Sequence, residues 1–158
     1  MAVRIITDSS CDQPFSIQKD WNIDILPFHI FFGDDEYVDG QNLDRQKFYK
    51  LMSKSPILPK TAQVTTYEFE EVFKPYVEAG DEILVLPISK EMSGTHNSAL
   101  LAKELYPDAS IYVVDTLNVT FGLALLVEVA VKLRDEGLDA KSIAEKIEKL
   151  KKRVRLYA

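Results

Sequence analysis

The sequence has very little of several residue types that define whole classes of protein. It contains one cysteine, Cys11, and two histidines, which excludes a disulfide framework or a cysteine-based metal cluster within the chain. Acidic residues (25) outnumber basic ones (19), and the net charge of −6 argues against a surface that binds nucleic acid. No apolar run approaches the ~20 residues that span a bilayer. Since the charged residues Arg4 and Asp8 come almost at once, we predict no signal peptide and expect a cytoplasmic protein that does not span a membrane.

Glycine-rich phosphate-binding loops are also missing. There is no Gly-x-x-x-x-Gly-Lys-Ser/Thr, and no Gly-x-Gly-x-x-Gly follows a strand, so no nucleotide or other cofactor is predicted. The composition itself, 46% hydrophobic and 28% charged, is that of an ordinary globular protein. A length of 158 residues suits one domain, on the prior of roughly 100–200 residues per domain.

Short apolar runs alternate with segments in which apolar residues recur at helical spacing. Strands are predicted at residues 2–7, 23–32, 83–88 and 111–114, and Pro27 favours a break or an edge position for the second. Helices are predicted to begin near Asp44, at Thr65, after Gly94, near residue 119 and at Asp139. This alternation predicts a single α/β domain over residues 1–158, with three layers and a mostly parallel sheet covered by helices on both faces.

Polar residues follow the predicted strands at the point where each strand ends. Asp8-Ser9-Ser10, residues 89–95 and Asp115-Thr116 all lie just past such ends, and a loop with Thr61 leads into a helix. Ligands of open α/β sheets bind beyond the carboxyl ends of the strands. We therefore expect these four segments to meet at one edge of the sheet.

The triplet Ser93-Gly94-Thr95 stands where a strand gives way to a helix. The first amides of a helix lack partners inside it, and the aligned peptide dipoles add partial positive charge there. Glycine allows a ligand close to the backbone, and the hydroxyls add donors, so the triplet suits a carboxylate or a phosphate. A plainer interpretation is that Ser93 or Thr95 only caps the helix.

Other chemistry has weaker support. Ser93 and His96 could suggest a nucleophile and base, but the sequence has no Gly-x-Ser-x-Gly elbow. Asp8 and Asp115 could bind a cation, yet carboxylates at strand ends more often orient backbone amides, so no metal site is predicted. An enzyme that acts on a small phosphorylated or carboxylated metabolite, with Asp8 or His96 in proton transfer, remains an alternative.

Four ordered segments, taken together, resemble one known family. Ile6-Thr-Asp-Ser-Ser-Cys-Asp12, Pro59-Lys-Thr-Ala-Gln63, Ile88-Ser-Lys-Glu-Met-Ser-Gly-Thr95 and Val113-Val-Asp-Thr116 are similar to motifs of the DegV family. The resemblance implies the fold of the family's N-terminal domain and a lipid-binding role without catalysis of its own. Such proteins hold a long-chain fatty acid and present it to a separate ATP-binding kinase subunit, which forms the acyl phosphate.

The resemblance also implies which residues contact the ligand. The carboxylate contacts fall on Thr61 and Ser93, with the amides of Gly94 and Thr95 beside them. The other polar strand ends form a possible secondary edge of the site, namely Asp8, Ser9, Ser10 and Asp115.

The sequence departs from the family pattern in three ways. Ala62 replaces a usual hydroxyl, Thr116 replaces a usual serine, and the second domain, which would begin near residues 155–158, is not seen. We therefore expect a truncated chain that binds fatty acid weakly unless self-association or a separate chain supplies the missing domain. A domain with mainly an association role is a further alternative.

Overall fold

A computed structural model describes residues 1–156, in which strands and helices alternate as predicted. The expectation about residues 155–158 lies partly outside the described residues. The strands are β1 (Val3–Asp8), β2 (Ile23–Leu26), β3 (His29–Phe32), β4 (Asp35–Val38), β5 (Lys60–Ala62), β6 (Glu82–Leu86) and β7 (Ile111–Val113). The helices are α1 (Ile17–Trp21), α2 (Arg45–Lys54), α3 (Thr66–Glu78), α4 (Thr95–Glu104), α5 (Thr120–Asp135) and α6 (Ala140–Leu150), and 3-10 turns lie at Ser9–Cys11 and Lys151–Arg153.

The main sheet is parallel and has the strand order β2-β1-β6-β7. Its central strands are apolar along most of their length, as expected when a parallel sheet is buried on both faces. Ile5 and Ile6 are successive residues of β1, so they point to opposite faces, and both are fully buried.

Helices cover both faces of this sheet. One core lies under α5 and α6, which contribute residues such as Leu126 and Ile143, and the other lies under α3 and α4, with Phe69 and Ala102. The predicted three-layer α/β fold is confirmed. None of the helices in the described part of the chain is both long and apolar enough to cross a bilayer.

Residues 23–32, in which Pro27 was expected to cause a break or an edge position, form two separate strands. The chain breaks at Pro27, which cannot donate a ladder hydrogen bond, so β2 ends at the edge of the main sheet and β3 enters a second sheet. This small sheet is antiparallel, with the order β4-β3-β5. Strand β5 carries Thr61, which we expected to lie in a loop. The strand was not predicted because it has only three residues, too few to show an alternating pattern.

Helix starts follow their capping signals. The Asp44 carboxylate accepts the amide of Lys47 at 2.7 Å, and the Asp139 carboxylate caps α6. Thr65 and Glu68 form the reciprocal capping box at the start of α3. The predictions at these three starts are confirmed.

Candidate functional site

The end of β1 is tied to the end of β6 by Asp8. One carboxylate oxygen of this buried side chain accepts the amide of Ile88 at 2.7 Å, and the other accepts the amide of Ser10 at 3.0 Å. Burial raises the pKa of Asp8, although the hydrogen bonds from Ser10 and Ile88 oppose that shift. Because both oxygens already receive backbone amides, Asp8 organises the loops and is poorly placed to transfer a proton to a ligand.

The end of β7 is held to the same region. Asp115 accepts the amides of Lys90 and Leu117, each at 3.2 Å, and the buried hydroxyl of Thr116 donates to the carbonyl of Pro87 at 2.6 Å. The three strand ends therefore meet at one edge of the sheet, as their sequence positions predict. Within residues 1–156, no group of three or more His, Cys, Asp or Glu side chains is arranged to hold a metal ion.

At the start of α4, Ser93 and Thr95 bond to each other. Their hydroxyls lie 3.0 Å apart, and the Ser93 hydroxyl accepts the Thr95 amide at 3.3 Å, while Gly94 occupies the N-cap position. Among residues 1–156, the amides of Gly94, His96 and Asn97 have no acceptor. This turn therefore keeps unpaired N–H donors at the positive end of a helix, beside the half-buried Ser93.

The segment after Thr61 packs against this turn. The amide of Val64 donates to the Thr95 hydroxyl at 3.3 Å, and the Gln63 amide nitrogen donates to the Ser98 hydroxyl at 3.0 Å. A Cβ on Gly94 would lie 1.9 Å from the side-chain oxygen of Gln63, so glycine is needed for this approach. Gln63 was not predicted to contribute to the site, since a lone glutamine in a loop gives no recognisable chemical signal.

Thr61 itself is exposed on β5, where it pairs directly with Ile30 of β3. Directly paired residues of antiparallel strands share a face of the sheet. Thr61 is thus on the face from which Ile30 lines a cleft, and no hydrogen bond joins it to Ser93 within the described residues. The structure brings the Thr61 segment to the Ser93 turn through Gln63 and Val64.

His29 connects the small sheet to α3. Its two ring nitrogens lie 2.6 Å from a carboxylate oxygen of Glu36 and 3.1 Å from one of Glu68. Hydrogen bonding to Glu36 raises the pKa of His29, burial partly opposes this, and Glu68 raises it further. Burial alone would raise the pKa of Glu68, but hydrogen bonds from Thr65 and His29 outweigh it and lower the pKa. These two contacts favour the charged form of His29. Through them, His29 links β3, the strand beside β5, to β4 and α3.

His96 does not pair with Ser93. The Ser93 hydroxyl bonds to Thr95, and no hydrogen bond connects it to His96 among residues 1–156. Burial lowers the pKa of His96, against an opposing effect of Asp115. Nothing in this arrangement favours the nucleophile-and-base interpretation of the two residues.

A cleft of about 620 Å³ lies next to the strand-end loops. Its walls combine apolar side chains with charged ones. The apolar ones include Phe15, Ile30, Leu43, Phe48 and Phe121, and the charged ones are Asp12, Asp39, Asp44 and Arg45. Ser9, the one secondary-edge residue in its lining, accepts the amide of Phe28 at 3.0 Å through its hydroxyl. Neither Ser93 nor Gly94 lines this cleft, so the apolar surface and the helix-start donors are separate features of the described chain.

Comparison with known proteins decides the family. The family model described as "Uncharacterised protein, DegV family" matches residues 2–158. The chain belongs to the DegV family. A DegV domain-containing protein of Clostridium acetobutylicum is 36% identical over 145 residues, which are 92% of this chain and 52% of the relative.

Solved DegV structures share the fold. A stearic acid-binding protein of Eubacterium ventriosum is 32% identical, with a TM-score of 0.85, over 94% of this chain and 52% of that protein. The Fatty Acid Kinase B3 protein of Streptococcus pneumoniae, loaded with linoleic acid, is 29% identical, with a TM-score of 0.81, over 96% of this chain and 55% of that protein. The chain therefore spans about half the length of the relatives it matches.

Proposed function

We propose that this DegV chain holds the carboxylate of a long-chain fatty acid, in the cytoplasm, and presents it to a separate ATP-binding kinase subunit. The kinase would transfer a phosphoryl group to the carboxylate and form the acyl phosphate. The observation that supports this most strongly is the start of α4, where Gly94, His96 and Asn97 offer unpaired amides. Similar proteins are described as binding stearic acid and linoleic acid, which favours a fatty carboxylate as the anion.

The residues at the site have different roles in this proposal. The Ser93 hydroxyl and the Gly94 amide contact the carboxylate, and the exposed Thr61 hydroxyl approaches it from β5. The Thr95 hydroxyl is fully buried and already bonded to Val64 and Ser93, so it positions the turn and leaves ligand contact to its neighbours.

The secondary-edge residues support the loops. Both carboxylate oxygens of Asp8 and one of Asp115 accept backbone amides. Asp8 also accepts from the Ser10 hydroxyl, while Ser9 accepts the Phe28 amide. These hydrogen bonds keep the strand ends aligned. A ligand could contact this edge of the sheet without breaking any of these hydrogen bonds.

The ligand's tail determines how tightly it binds. Each buried methylene contributes ~0.8 kcal/mol, whereas a hydrogen bond contributes about 1 kcal/mol net. The cleft beside the strand ends is open, so a second domain, a second copy or a separate chain would have to cover a bound tail. We therefore expect the 158-residue chain to bind palmitate weakly in calorimetric titration, and submicromolar affinity would show that the tail site is already complete.

Substitutions at the head-group site test the proposal. Ser93→Ala and Thr61→Val should each weaken palmitate binding roughly 10-fold or more, since each removes one hydrogen bond to a charged group, which is worth about 1.5–3 kcal/mol. Ser110→Ala is the matched control, because Ser110 is exposed and precedes β7 at the opposite end of the strands. Equal affinities for all four proteins would place the carboxylate elsewhere.

A further inference from the structure

Residues 45–60 have a charge opposite to that of the chain as a whole. This stretch, the basic segment, consists of α2, the loop that follows it and the first residue of β5. It contains five cationic residues and no acidic one, a formal charge of +5 in a chain of net charge −6. The cations are Arg45, Lys47, Lys50, Lys54 and Lys60, and all of them are exposed.

Large apolar side chains on the same segment are exposed to water. Leu58 is 81% exposed, Tyr49 62% and Ile57 55%, and none of the ten residues of α2 is fully buried. Isolated exposed apolar residues are ordinary, but several on one short segment indicate a surface that is covered in use. Here they alternate along the chain with lysines.

The loop is ordered by its own hydrogen bonds. The amide of Ser55 donates to the carbonyl of Leu51 at 2.9 Å, and the Ser55 hydroxyl donates to the carbonyl of Ile57 at 2.6 Å. Pro56 and Pro59 restrict the backbone on either side of Ile57-Leu58. The apolar pair is therefore held in a defined conformation at the tip of the loop.

We propose that the basic segment docks the protein on an anionic lipid surface, with Ile57 and Leu58 entering the headgroup region and the lysines contacting lipid phosphates. Apolar insertion combined with a cluster of cations is the pair of signals that gives stable interfacial binding. Lysines near an anionic membrane each contribute to binding, and Tyr suits the interface because its ring is apolar and its hydroxyl is wet.

Two observations favour a bilayer over an acidic protein. The apolar and cationic residues share one exposed segment. In the basic cluster at the end of α6 (Lys149, Lys151, Lys152 and Arg153), by contrast, Lys151 is buried and its ammonium lies 2.7 Å from a carboxylate oxygen of Glu148. Tyr49 and Phe48 also line the cleft on its apolar side, so the docked segment would adjoin the apolar surface available to an acyl chain. This second observation rests on the proposed function, because the cleft matters here only if the chain takes up a fatty acid, and fatty acids partition into bilayers.

Flotation with vesicles tests the docking directly. We expect the 158-residue chain to float with vesicles of equal parts phosphatidylglycerol and phosphatidylcholine, and not with phosphatidylcholine alone. Lys50→Gln with Lys54→Gln should weaken binding about 25-fold, about fivefold for each lysine. Lys149→Gln with Lys152→Gln, the same charge change at the end of α6, should leave it within twofold.

The apolar pair separates lipid docking from simple charge attraction. Ile57→Ser with Leu58→Ser should abolish flotation while leaving the melting temperature unchanged, because both side chains are exposed. The proposal is overturned if the wild-type chain does not float, if the two lysine pairs weaken binding equally, or if the serine variant still floats. Equal binding to polyglutamate, insensitive to the serine substitutions, would assign the surface to an acidic protein. The flotation assay contains no fatty acid. A negative result would therefore overturn membrane docking without bearing on palmitate binding, which is measured separately.

Discussion

Gly94→Ala should lower the free energy of unfolding by about 1 kcal/mol, because it displaces the side chain of Gln63. The Gly94 backbone has a φ of −71°, which alanine adopts freely, so the conflict is with the end of the Gln63 side chain. When Gln63 moves away, its hydrogen bond to Ser98 is lost, at a cost of about 1 kcal/mol. Two further effects cancel. Alanine stabilises the fold by lowering the entropy of the unfolded chain, and it destabilises the helix by about as much because it is a poorer N-cap residue than glycine. For a chain of this length, 1 kcal/mol lowers the melting temperature by about 2–4 °C.

A double-mutant cycle measured by urea denaturation tests that reasoning. Gln63→Ala alone removes the same hydrogen bond, so the double variant Gly94→Ala with Gln63→Ala should lose about 1 kcal/mol in total rather than about 2. Gln46→Ala, exposed on α2, is the control and should add independently to Gly94→Ala. Additive losses for Gly94 and Gln63 would refute the contact, and a loss above about 3 kcal/mol for Gly94→Ala alone would indicate a shifted backbone.

Two further predictions concern buried or paired charges. His29 lies between Glu36 and Glu68, and hydrogen bonding to them raises its pKa above the usual value of about 6.5. Its stabilising contribution is therefore complete below about pH 6.5 and is lost as the pH rises through the raised pKa. The free energy of unfolding should fall over that rise, and His29→Gln should flatten the dependence, whereas parallel profiles would contradict a charged His29. Asp8→Asn should cost about 1–3 kcal/mol in urea denaturation, because an amide nitrogen cannot accept the N–H of Ile88 or Ser10, and an unchanged midpoint would show that these bonds contribute nothing net.

The layered fold could be predicted because its signals are local. Capping residues such as Asp44 and Asp139 mark helix starts, and buried parallel strands are continuous apolar runs. One strand of the small sheet could not be predicted. Strand β5 has three residues, and it exists because β3 pairs with it after the break at Pro27, which is a tertiary effect.

The site was predictable only where chemistry is tied to strand ends and helix starts. Ser93 and Asp8 stand at such positions, and the structure places both there. The contact of Gln63 with Gly94 and Ser98 depends on how one loop packs against a helix that is distant in sequence. Neither residue type nor spacing predicts it. Glu36 and Glu68 lie 7 and 39 residues from His29 in the sequence, and their carboxylates meet its ring only in the folded chain.

Backbone amide NMR of the 158-residue chain, titrated with octanoate and separately with 1-octanol, would show whether the start of α4 binds a carboxylate. Both ligands bring the same tail, but only the acid brings a carboxylate. We expect octanoate to produce its largest chemical-shift changes at the amides of Gly94, His96 and Asn97, and 1-octanol to leave the shifts of these three amides unchanged. Equal shifts with both ligands, or acid-specific shifts at other residues, would contradict a carboxylate held at the start of α4.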